Sequence, residues 1–288
     1  MSSHQLCYNG TFHTEDTPIF TAENRAFRYG DSLFETIHCN GTQIQFFVEH
    51  MNRLKLGMKQ LSMAIPIEFT ETIEENIKLL INKNKSFLGT RIRLSVFRNP
   101  GGLYTPGTNT ISYLIESSTL NTVYYQLNKK GLQIGLFDSY KKASNSTSSF
   151  KTGNSLPFIL AGLHKQKMRW DDCLLLNERN NLVESVSSNL FIVKDSVLFT
   201  PSLESGAVSG IMREQIIQIA LDLGITVYDD CIIKPEQLKD ADEVFLSNAI
   251  MGIQWVVAYQ DRRFFNKSSK LLIDALNKKV FGEAYSSL

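Results

Sequence analysis

The sequence has almost no excess of charge of either sign. Its 30 Lys and Arg residues stand against 29 Asp and Glu residues, which gives a net charge of +1 over 288 residues. Proteins that hold nucleic acid or an anionic membrane through a broad electrostatic field carry a clustered excess of basic residues. The balance therefore argues against a nucleic-acid partner and against an electrostatic membrane partner.

Long hydrophobic runs are also missing. No stretch reaches the roughly 18 apolar residues that a membrane-spanning helix needs. The first ten residues, MSSHQLCYNG, lack the apolar run of a signal peptide. We therefore expect a cytoplasmic protein without a membrane partner.

Cysteine and histidine are few and scattered. The four cysteines form no CxxC pair, and neither they nor the five histidines have the spacing of a zinc site. We therefore expect free thiols in a reducing compartment and no metal. The cysteines are Cys7, Cys39, Cys173 and Cys231.

The length of the chain predicts two domains, because a domain usually holds about 150 residues. Near the start, TRIRLSVFRNPGG alternates apolar and polar residues as a strand does, while HMNRLKLGMKQLSM and FTETIEENIKLLINKNK are typical of helices. Thr70 or Thr72 would cap the second helix. We predict a small α+β domain over residues 1–120 and a polar linker over residues 121–130.

The remaining residues, 131–288, predict a larger C-terminal domain that is rich in strands. CLLLNERNNLVE and LFIVKDSVLFT are typical of hairpins, and the second would turn at Lys194–Asp195. LPFILAGLHKQKM, IMREQIIQIALDLG and SSKLLIDALNKKVFGEAY are typical of helices. Hairpins, and not βαβ alternation, dominate this pattern, so we assign the fold class as α+β.

Lys151 is the residue that points most directly to chemistry. It lies among hydroxyl side chains in SSFKTGNSLPF, and a lysine forms a Schiff base with an aldehyde when desolvation or nearby positive charge lowers its pKa. Pyridoxal phosphate is such an aldehyde, and it also needs a partner for its ring nitrogen and backbone amides at a helix start for its phosphate. Glu184 and the helix that opens at Gly210 can supply both.

Each of these signals is weak alone. A lysine beside serines is usually solvated, and a glutamate in a strand usually lies on the exposed face. A glycine before a helix is usually just part of a turn. The order and spacing of the three features must therefore decide the interpretation.

That order resembles the class IV, fold type IV pyridoxal-phosphate enzymes. The resemblance runs from about residue 8 to residue 260 and rests on six blocks in the family's order. These blocks are RAFRYGDSLFETI (25–37), EHMNRL (49–54), KTGNSL (151–156), VESVSSNLF (183–191), GIMR (210–213) and DEVFLSNA (242–249). The family includes branched-chain aminotransferases, D-amino acid aminotransferases and 4-amino-4-deoxychorismate lyases.

The resemblance implies a two-domain subunit like that of the D-amino acid aminotransferases, with the cofactor between the domains, and a homodimer. It implies that Lys151 forms the Schiff base and moves the proton at the substrate α-carbon. The implied cofactor-binding residues are Lys151, Glu184 at the ring nitrogen, Arg53 at the phosphate, Ser187, Ser188, Asn189, Gly210, Ile211, Met212, Asn248 and Ala249. The implied catalytic residues are Lys151 and Thr36, and the implied substrate-binding residues are Arg93, Phe34, Arg98 and Tyr104.

Several positions resemble the lyases, which release pyruvate from 4-amino-4-deoxychorismate and leave p-aminobenzoate, a folate precursor. GIMR stands where the aminotransferases typically have Gly-Ile-Thr-Arg, and Ser-Asn-Ala-Ile-Met (247–251) replaces a threonine-rich stretch. The turn from Arg98 to Tyr104 and the threonine at Thr36 also resemble the lyases.

Other positions favour an aminotransferase. Arg93 matches an arginine that helps to hold the substrate carboxylate in branched-chain aminotransferases, and Glu35 is more typical of transaminases. Leu103 stands where the resemblance to the lyases implies an arginine, whereas Phe34 argues against the D-amino acid aminotransferases. Three functions stay open: a lyase, which we favour; a branched-chain or other amino acid aminotransferase; and a binding protein that kept the fold without the chemistry.

Overall fold

The segment that carries Lys151 belongs to the N-terminal part of the fold. Contacts along the chain divide it into two units: unit 1 comprises Met1–Val123 and Phe150–Asn154, and unit 2 comprises Tyr124–Ser149 and Ser155–Leu288. The sequence placed Lys151 in the C-terminal domain, and this placement was wrong.

The computed structural model describes residues 4–282 and 285. The outer ends of the predicted domains 1–120 and 131–288 therefore lie outside the described residues. The step from unit 1 to unit 2 falls between Val123 and Tyr124, within the range 121–130 that we predicted as a linker.

Unit 1 is built on a six-stranded antiparallel sheet with the strand order β2-β1-β6-β5-β3-β4. Its elements are β1 (Gln5–Tyr8), β2 (Thr11–Thr14), α1 (Arg25–Tyr29), β3 (Ser32–Asn40), β4 (Gln43–Ile44), α2 (Phe47–Gln60), α3 (Phe69–Lys83), β5 (Gly89–Arg98) and β6 (Ile111–Thr119). The sheet and both long helices follow from the period of their apolar residues.

Strand β5 shows this periodicity most clearly. Ile92, Leu94 and Val96 are completely buried and join a core that includes residues of α2 and α3. The residues between them, Arg93 among them, are only half-buried on the opposite face. The predicted alternation is confirmed, and it leaves one face of the β3–β5 pair available for polar chemistry.

Helix α3 begins earlier than the cap that we predicted. Its first residue is Phe69, which is buried, and its N-cap is Glu68, a residue with a φ of 56° and no capping hydrogen bond from its side chain. Thr70 and Thr72 therefore lie inside the helix, and the predicted threonine cap was wrong. Burial of Phe69 in the core, and not side-chain capping, accounts for this start.

Unit 2 is built on a nine-stranded sheet with the order β12-β11-β10-β13-β14-β7-β8-β9, and β15 pairs with β14. Its elements are β7 (Leu132–Lys142), α4 (Leu156–Met168), β8 (Asp172–Asn177), β9 (Leu182–Ser185), β10 (Asn189–Lys194), β11 (Val197–Pro201), α5 (Ile211–Asp222), β12 (Val227–Cys231), β13 (Glu243–Asn248), β14 (Gly252–Tyr259), β15 (Arg262–Arg263) and α6 (Lys267–Phe281). Short 3₁₀ turns lie at Leu203–Ser205 and Pro235–Lys239.

One further pairing closes part of this sheet. Glu184 of β9 pairs with Asn189 of β10, so the strands β10, β13, β14, β7, β8 and β9 form a ring. Two polar residues of the predicted site are thereby neighbours across the closing seam.

The hairpins β8–β9, β10–β11 and β13–β14 are antiparallel, and the first two confirm the sequence prediction. The second turns at Asp195 and Ser196, which both have positive φ, and not at Lys194–Asp195. Two positive φ values give the turn a twist that matches its strands.

The sequence pattern predicted that hairpins dominate this part of the chain, and it did not identify two βαβ crossovers. Strands β7 and β8 are parallel and are joined through α4, and strands β11 and β12 are parallel and are joined through α5. Parallel neighbours need such a crossover, because a tight turn can only reverse the chain. Five of the predicted cofactor-binding residues lie between these two helices in the chain, namely Glu184, Ser187, Ser188, Asn189 and Gly210.

The cysteines are free thiols, as predicted. Burial raises the pKa of Cys39 and of Cys173 to about 12, so both are unreactive at neutral pH. In the described part of the chain, no helix is both long and apolar enough to cross a bilayer.

Candidate active site

Lys151 is held against strand β3. Its carbonyl oxygen accepts a hydrogen bond from the amide of Phe34 at 2.8 Å, and the amide of Gly153 donates to the carbonyl of Ser32 at 2.9 Å. The ammonium nitrogen of Lys151 lies 4.8 Å from the centre of the Phe34 ring. A half-buried amine on an aromatic face is partly desolvated, which is the setting that a Schiff-base lysine needs.

Three more predicted residues share this face of unit 1. Phe34 and Thr36 are two residues apart in β3 and therefore lie on the same face of the strand. Thr36 stands directly opposite Arg93 of β5. The guanidinium carbon of Arg93 lies 4.0 Å from the centre of the Phe34 ring. We call Phe34, Thr36, Arg93 and Lys151 the lysine face, which joins the two predicted catalytic residues to two predicted substrate residues.

A buried charge cluster lies on the other side of β3. Glu35 accepts a hydrogen bond from Nε of Arg53 at 2.8 Å, and its second oxygen pairs with Nδ1 of His50 at 2.7 Å and with the Arg53 guanidinium. All three side chains are at most 9% exposed. We call Glu35, His50 and Arg53 the Glu35 cluster. Arg53, predicted to bind phosphate, is therefore oriented by a carboxylate.

The protonation states in the Glu35 cluster follow from its contacts. Burial alone would raise the pKa of Glu35, but the Arg53 charge and the His50 hydrogen bond outweigh it and lower that pKa to about 2. Burial lowers the pKa of His50, so the imidazole is neutral. Since the carboxylate can only accept, Nδ1 of His50 carries the proton, and Nε2 is buried without a hydrogen-bond partner among the described residues.

The charge of Lys151 also lowers the pKa of His50, which links the lysine face to the Glu35 cluster electrostatically. Our sequence interpretation did not include His50. The signal was present in EHMNRL, because His50 and Arg53 are three residues apart and so lie on one face of α2.

Arg98 has a structural role in unit 1. It is 5% exposed, and its three guanidinium nitrogens donate to Asp31, Asn109 and the carbonyl of Leu61. Each guanidinium nitrogen already has an acceptor within unit 1, and the substrate role implied for Arg98 stays a prediction.

Tyr104 lies in the turn that follows β5 and is 90% exposed. Its ring contacts that of Tyr29, with the ring centres 5.6 Å apart. The structure gives it no contact with the lysine face among the described residues, so its substrate role stays a prediction.

Glu184 is buried in unit 2 and is paired on both oxygens. One oxygen accepts from the Lys142 ammonium, and the other accepts from the amide of Val208 at 3.2 Å. Lys142 is also buried, with its nitrogen 5.3 Å from the Phe158 ring centre. Sequence reasoning missed Lys142, because the strand that it ends, LQIGLFDSYKK, is polar in its second half and gives no local sign of a buried ion pair.

The segment before α5 is hydrogen-bonded to Glu184 and Asn189 through Val208. The side-chain amide of Asn189 donates to the carbonyl of Val208 at 2.9 Å. A Cβ on Gly210 would lie 1.8 Å from Oδ1 of Asn189, so only glycine allows this approach. Gly210 is the N-cap of α5 and provides no side-chain cap.

The start of α5 therefore offers amide donors to an anion. The first N–H groups of a helix have no acceptor within the helix, and the helix dipole favours negative charge there. Ile211 and Met212 occupy these positions. An uncapped helix start with an obligatory glycine fits the phosphate of the implied cofactor.

Two other predicted residues are joined near this segment. The side-chain nitrogen of Asn248 donates to the Ser188 hydroxyl at 2.9 Å, and its side-chain oxygen Oδ1 accepts from the backbone amides of Ile250 and Met251. This turn places Ala249, whose carbonyl oxygen accepts from the hydroxyl of Tyr125 at 3.4 Å. Ser187 is exposed, and its role stays a prediction.

The described residues contain no group of three or more His, Cys, Asp and Glu side chains that could hold a metal ion. Unit 1 holds the candidate lysine and arginines, and unit 2 holds the buried carboxylate and the uncapped helix start.

Comparison with known proteins gives one consistent family. The family model for class IV aminotransferases matches residues 32–259. An aminodeoxychorismate lyase of Vibrio harveyi is 27% identical over 232 residues, which cover 80% of this chain and 83% of that protein. A branched-chain-amino-acid aminotransferase of Escherichia coli strain K12 is 30% identical over 260 residues, 86% of this chain and 82% of that protein.

Among solved structures, a T.th. branched-chain amino acid aminotransferase with pyridoxamine 5′-phosphate superposes with a TM-score of 0.87. The match has 25% sequence identity and covers 98% of this chain and 96% of that chain. Lyase and aminotransferase relatives are thus similarly distant.

Proposed function

The chain belongs to the class IV aminotransferase family, whose members depend on pyridoxal phosphate, and from this premise we propose that it is a 4-amino-4-deoxychorismate lyase. The observation that carries the choice is the residue at the start of α5. Met212 is buried at the start of α5, and the sequence resemblance implies that it stands where the aminotransferases typically have threonine. The phosphate would then be held there by backbone amides without a hydroxyl. The lyase relative from Vibrio harveyi supports the same choice.

We assign the cofactor contacts to residues of both units. Lys151 would carry the amine for the cofactor aldehyde, Glu184 would pair with the ring nitrogen, and Arg53 and the amides of Ile211 and Met212 would hold the phosphate. When bound, pyridoxal phosphate supplies an electron-withdrawing ring that stabilises negative charge at the substrate α-carbon. Ser188, Asn189 and Asn248 line the same part of the site in this proposal.

We assign the substrate to the lysine face. Lys151 takes the proton from the α-carbon of 4-amino-4-deoxychorismate, and the pyruvate-forming substituent then leaves the β-carbon. Arg93 holds a substrate carboxylate, and its stacking on Phe34 keeps the guanidinium on this face. Thr36, which stands opposite Arg93, would hold or pass a proton near the β-carbon.

An amino acid aminotransferase is the second candidate. The arginine at Arg93 and the acid at Glu35 favour it, as does the 30% identity with the Escherichia coli branched-chain enzyme. The two reactions would begin with the same proton removal by Lys151 and would diverge afterwards, so their products distinguish them.

We further propose that the enzyme works as a homodimer in the cytoplasm, with a small amino acid-type molecule as its substrate. The free thiols suit a reducing compartment. An exposed apolar stripe on α4 supports the dimer.

The test is to incubate the purified, cofactor-loaded protein with 4-amino-4-deoxychorismate and to measure p-aminobenzoate and pyruvate together. We expect release of both, and we expect Lys151→Ala to reduce release to background because no other residue is assigned to the α-proton. Lys141→Ala, a change of another lysine, is the control and should keep activity.

Two outcomes would contradict the assignment. If the loaded protein releases neither product, the lyase is wrong, and branched-chain amino acids and glutamate become the donors to test for transamination. If borohydride reduction and peptide mass spectrometry place the cofactor on Lys142 and not on Lys151, the site assignment is wrong.

A further inference from the structure

We propose that Lys142 is a positioning residue for the cofactor ring, which it serves by fixing the carboxylate of Glu184. This inference rests on the proposed function, because it assigns Glu184 to the ring nitrogen. The sequence motifs do not contain Lys142, and the proposal comes from its contact with Glu184 in the fold.

The fold brings Lys142 to Glu184 through neighbouring strands. Lys142 ends β7 and is in register with Asn177 of β8, while Glu184 of β9 is in register with Leu175 of the same strand. Both charged side chains are below 10% exposed, and their charged groups form an ion pair. A buried pair of this kind is stable only when both partners remain, because removal of one leaves a buried charge without compensation.

The contacts also fix the direction of the carboxylate. The Lys142 ammonium donates to one oxygen of Glu184, and the amide of Val208 donates to the other. A carboxylate has about four lone-pair sites, so each oxygen keeps capacity for one further donor. The Glu184 carboxylate is therefore held from two sides while it can still accept from a ring nitrogen.

The same contacts connect the carboxylate to the phosphate end of the site. Val208 donates to Glu184 through its amide and accepts from Asn189 through its carbonyl oxygen, two residues before Gly210. Lys142 thus stabilises one end of a chain of contacts that leads to the start of α5. The ion pair also engages its side-chain nitrogen and keeps it from Schiff-base chemistry, which leaves that role to Lys151.

The experiment compares cofactor binding by the full-length wild type, Lys142→Met and Lys142→Arg. Cofactor affinity is measured by titration with pyridoxal phosphate, and ring orientation is followed by circular dichroism in the visible absorption band of the bound cofactor. We expect Lys142→Met to weaken affinity about tenfold, in line with loss of one hydrogen bond to a buried charge, and to reduce the dichroism. Lys142→Arg keeps the charge and should restore most of both signals.

Lys141→Met is the matched control, because Lys141 is the neighbouring lysine on β7 and, as successive side chains alternate, lies on the opposite face of the strand. A second control is the pair of changes Lys142→Met and Glu184→Gln together. Since Lys142 acts through Glu184, the double variant should bind the cofactor no more weakly than Glu184→Gln alone.

Unchanged affinity and dichroism in Lys142→Met would overturn the inference. It would also be overturned if the losses of cofactor affinity caused by Lys142→Met and Glu184→Gln were additive in the double variant. If Lys142→Met does not fold, Lys142→Arg decides: restored signals support the inference, and lost dichroism in a folded Arg variant overturns it. If the wild type itself binds no pyridoxal phosphate, it is the proposed function that fails.

Discussion

At the scale of single residues, the charge of Glu35 holds Arg53 in place for its proposed phosphate contact. Glu35→Gln keeps the size of the side chain but removes the counter-charge of a buried guanidinium. We expect the free energy of unfolding at neutral pH to fall by roughly 3 kcal/mol, the value that corresponds to a pKa lowered from 4.5 to about 2. Urea unfolding of the two proteins measures this difference.

The sign of the pH dependence makes this prediction specific to charge. The pKa of Glu35 is lower in the folded protein than in the unfolded chain, so its stabilisation is complete above pH 4.5 and is lost as the pH falls towards 2. The wild type and Glu35→Gln should therefore converge in acid. Glu75→Gln, at an exposed position on α3, serves as control. A constant difference at every pH would show that shape, and not charge, is responsible.

The sequence identified residues whose proposed role can be recognised from a local motif, and it missed residues whose role depends on partners far away in the chain. Lys151 and Glu184 stand in blocks that can be read directly, and the structure places both in settings that suit their proposed chemistry. Lys142 and His50 acquire meaning only through partners that folding brings to them. Arg98 shows the reverse case, because its position in the motif did not reveal that Asp31, Asn109 and Leu61 occupy its nitrogens.

At the scale of elements, helices and hairpins follow from apolar period and turn residues, whereas parallel pairing does not. The range of α4 agrees with the predicted helix, since its sequence contains the local information. The parallel pairing of β7 with β8 depends on contacts across the sheet, and no local pattern encodes it. The return of residues 150–154 to unit 1 is similarly set by backbone hydrogen bonds to β3.

The start of α5 allows a direct test of an element. A Cβ at position 210 would collide with Asn189, although the backbone there, with φ of −70° and ψ of 128°, is open to any residue. Gly210→Ala should therefore displace Asn189 or the first turn and weaken binding of pyridoxal phosphate about tenfold or more. Titration with the cofactor measures the effect, and thermal unfolding without cofactor checks that the fold is kept.

Gly162→Ala is the matched control for this change. Gly162 lies inside α4, and a Cβ there would meet nothing within 4 Å, so the alanine should stabilise the helix slightly and leave cofactor binding unchanged. Equal cofactor affinity in Gly210→Ala and in the wild type would remove the start of α5 from the proposed phosphate site.

At the scale of the whole molecule, the outer face of α4 indicates a partner. Leu156, Ile159, Leu160 and Leu163 are between 40% and 68% exposed, and their spacing of three and four residues makes one apolar stripe. The opposite face of the helix carries the buried Ala161, so the stripe is not needed by the core of its own unit. A continuous exposed apolar stripe marks an interaction surface, and a homodimer, as the family resemblance implies, would cover it.

Charge placed in this stripe should therefore separate the subunits. We expect the double change Ile159→Glu and Leu163→Glu to raise the dissociation constant of the dimer by at least about a hundredfold, because each charge would be buried without a partner at the interface. Analytical ultracentrifugation over a range of concentrations measures the constant. Leu221→Glu, which alters an exposed leucine on α5, is the control and should leave the mass unchanged. If the double variant stays dimeric at the concentrations at which the wild type is dimeric, the subunit interface lies elsewhere. The α4 stripe would then face another partner.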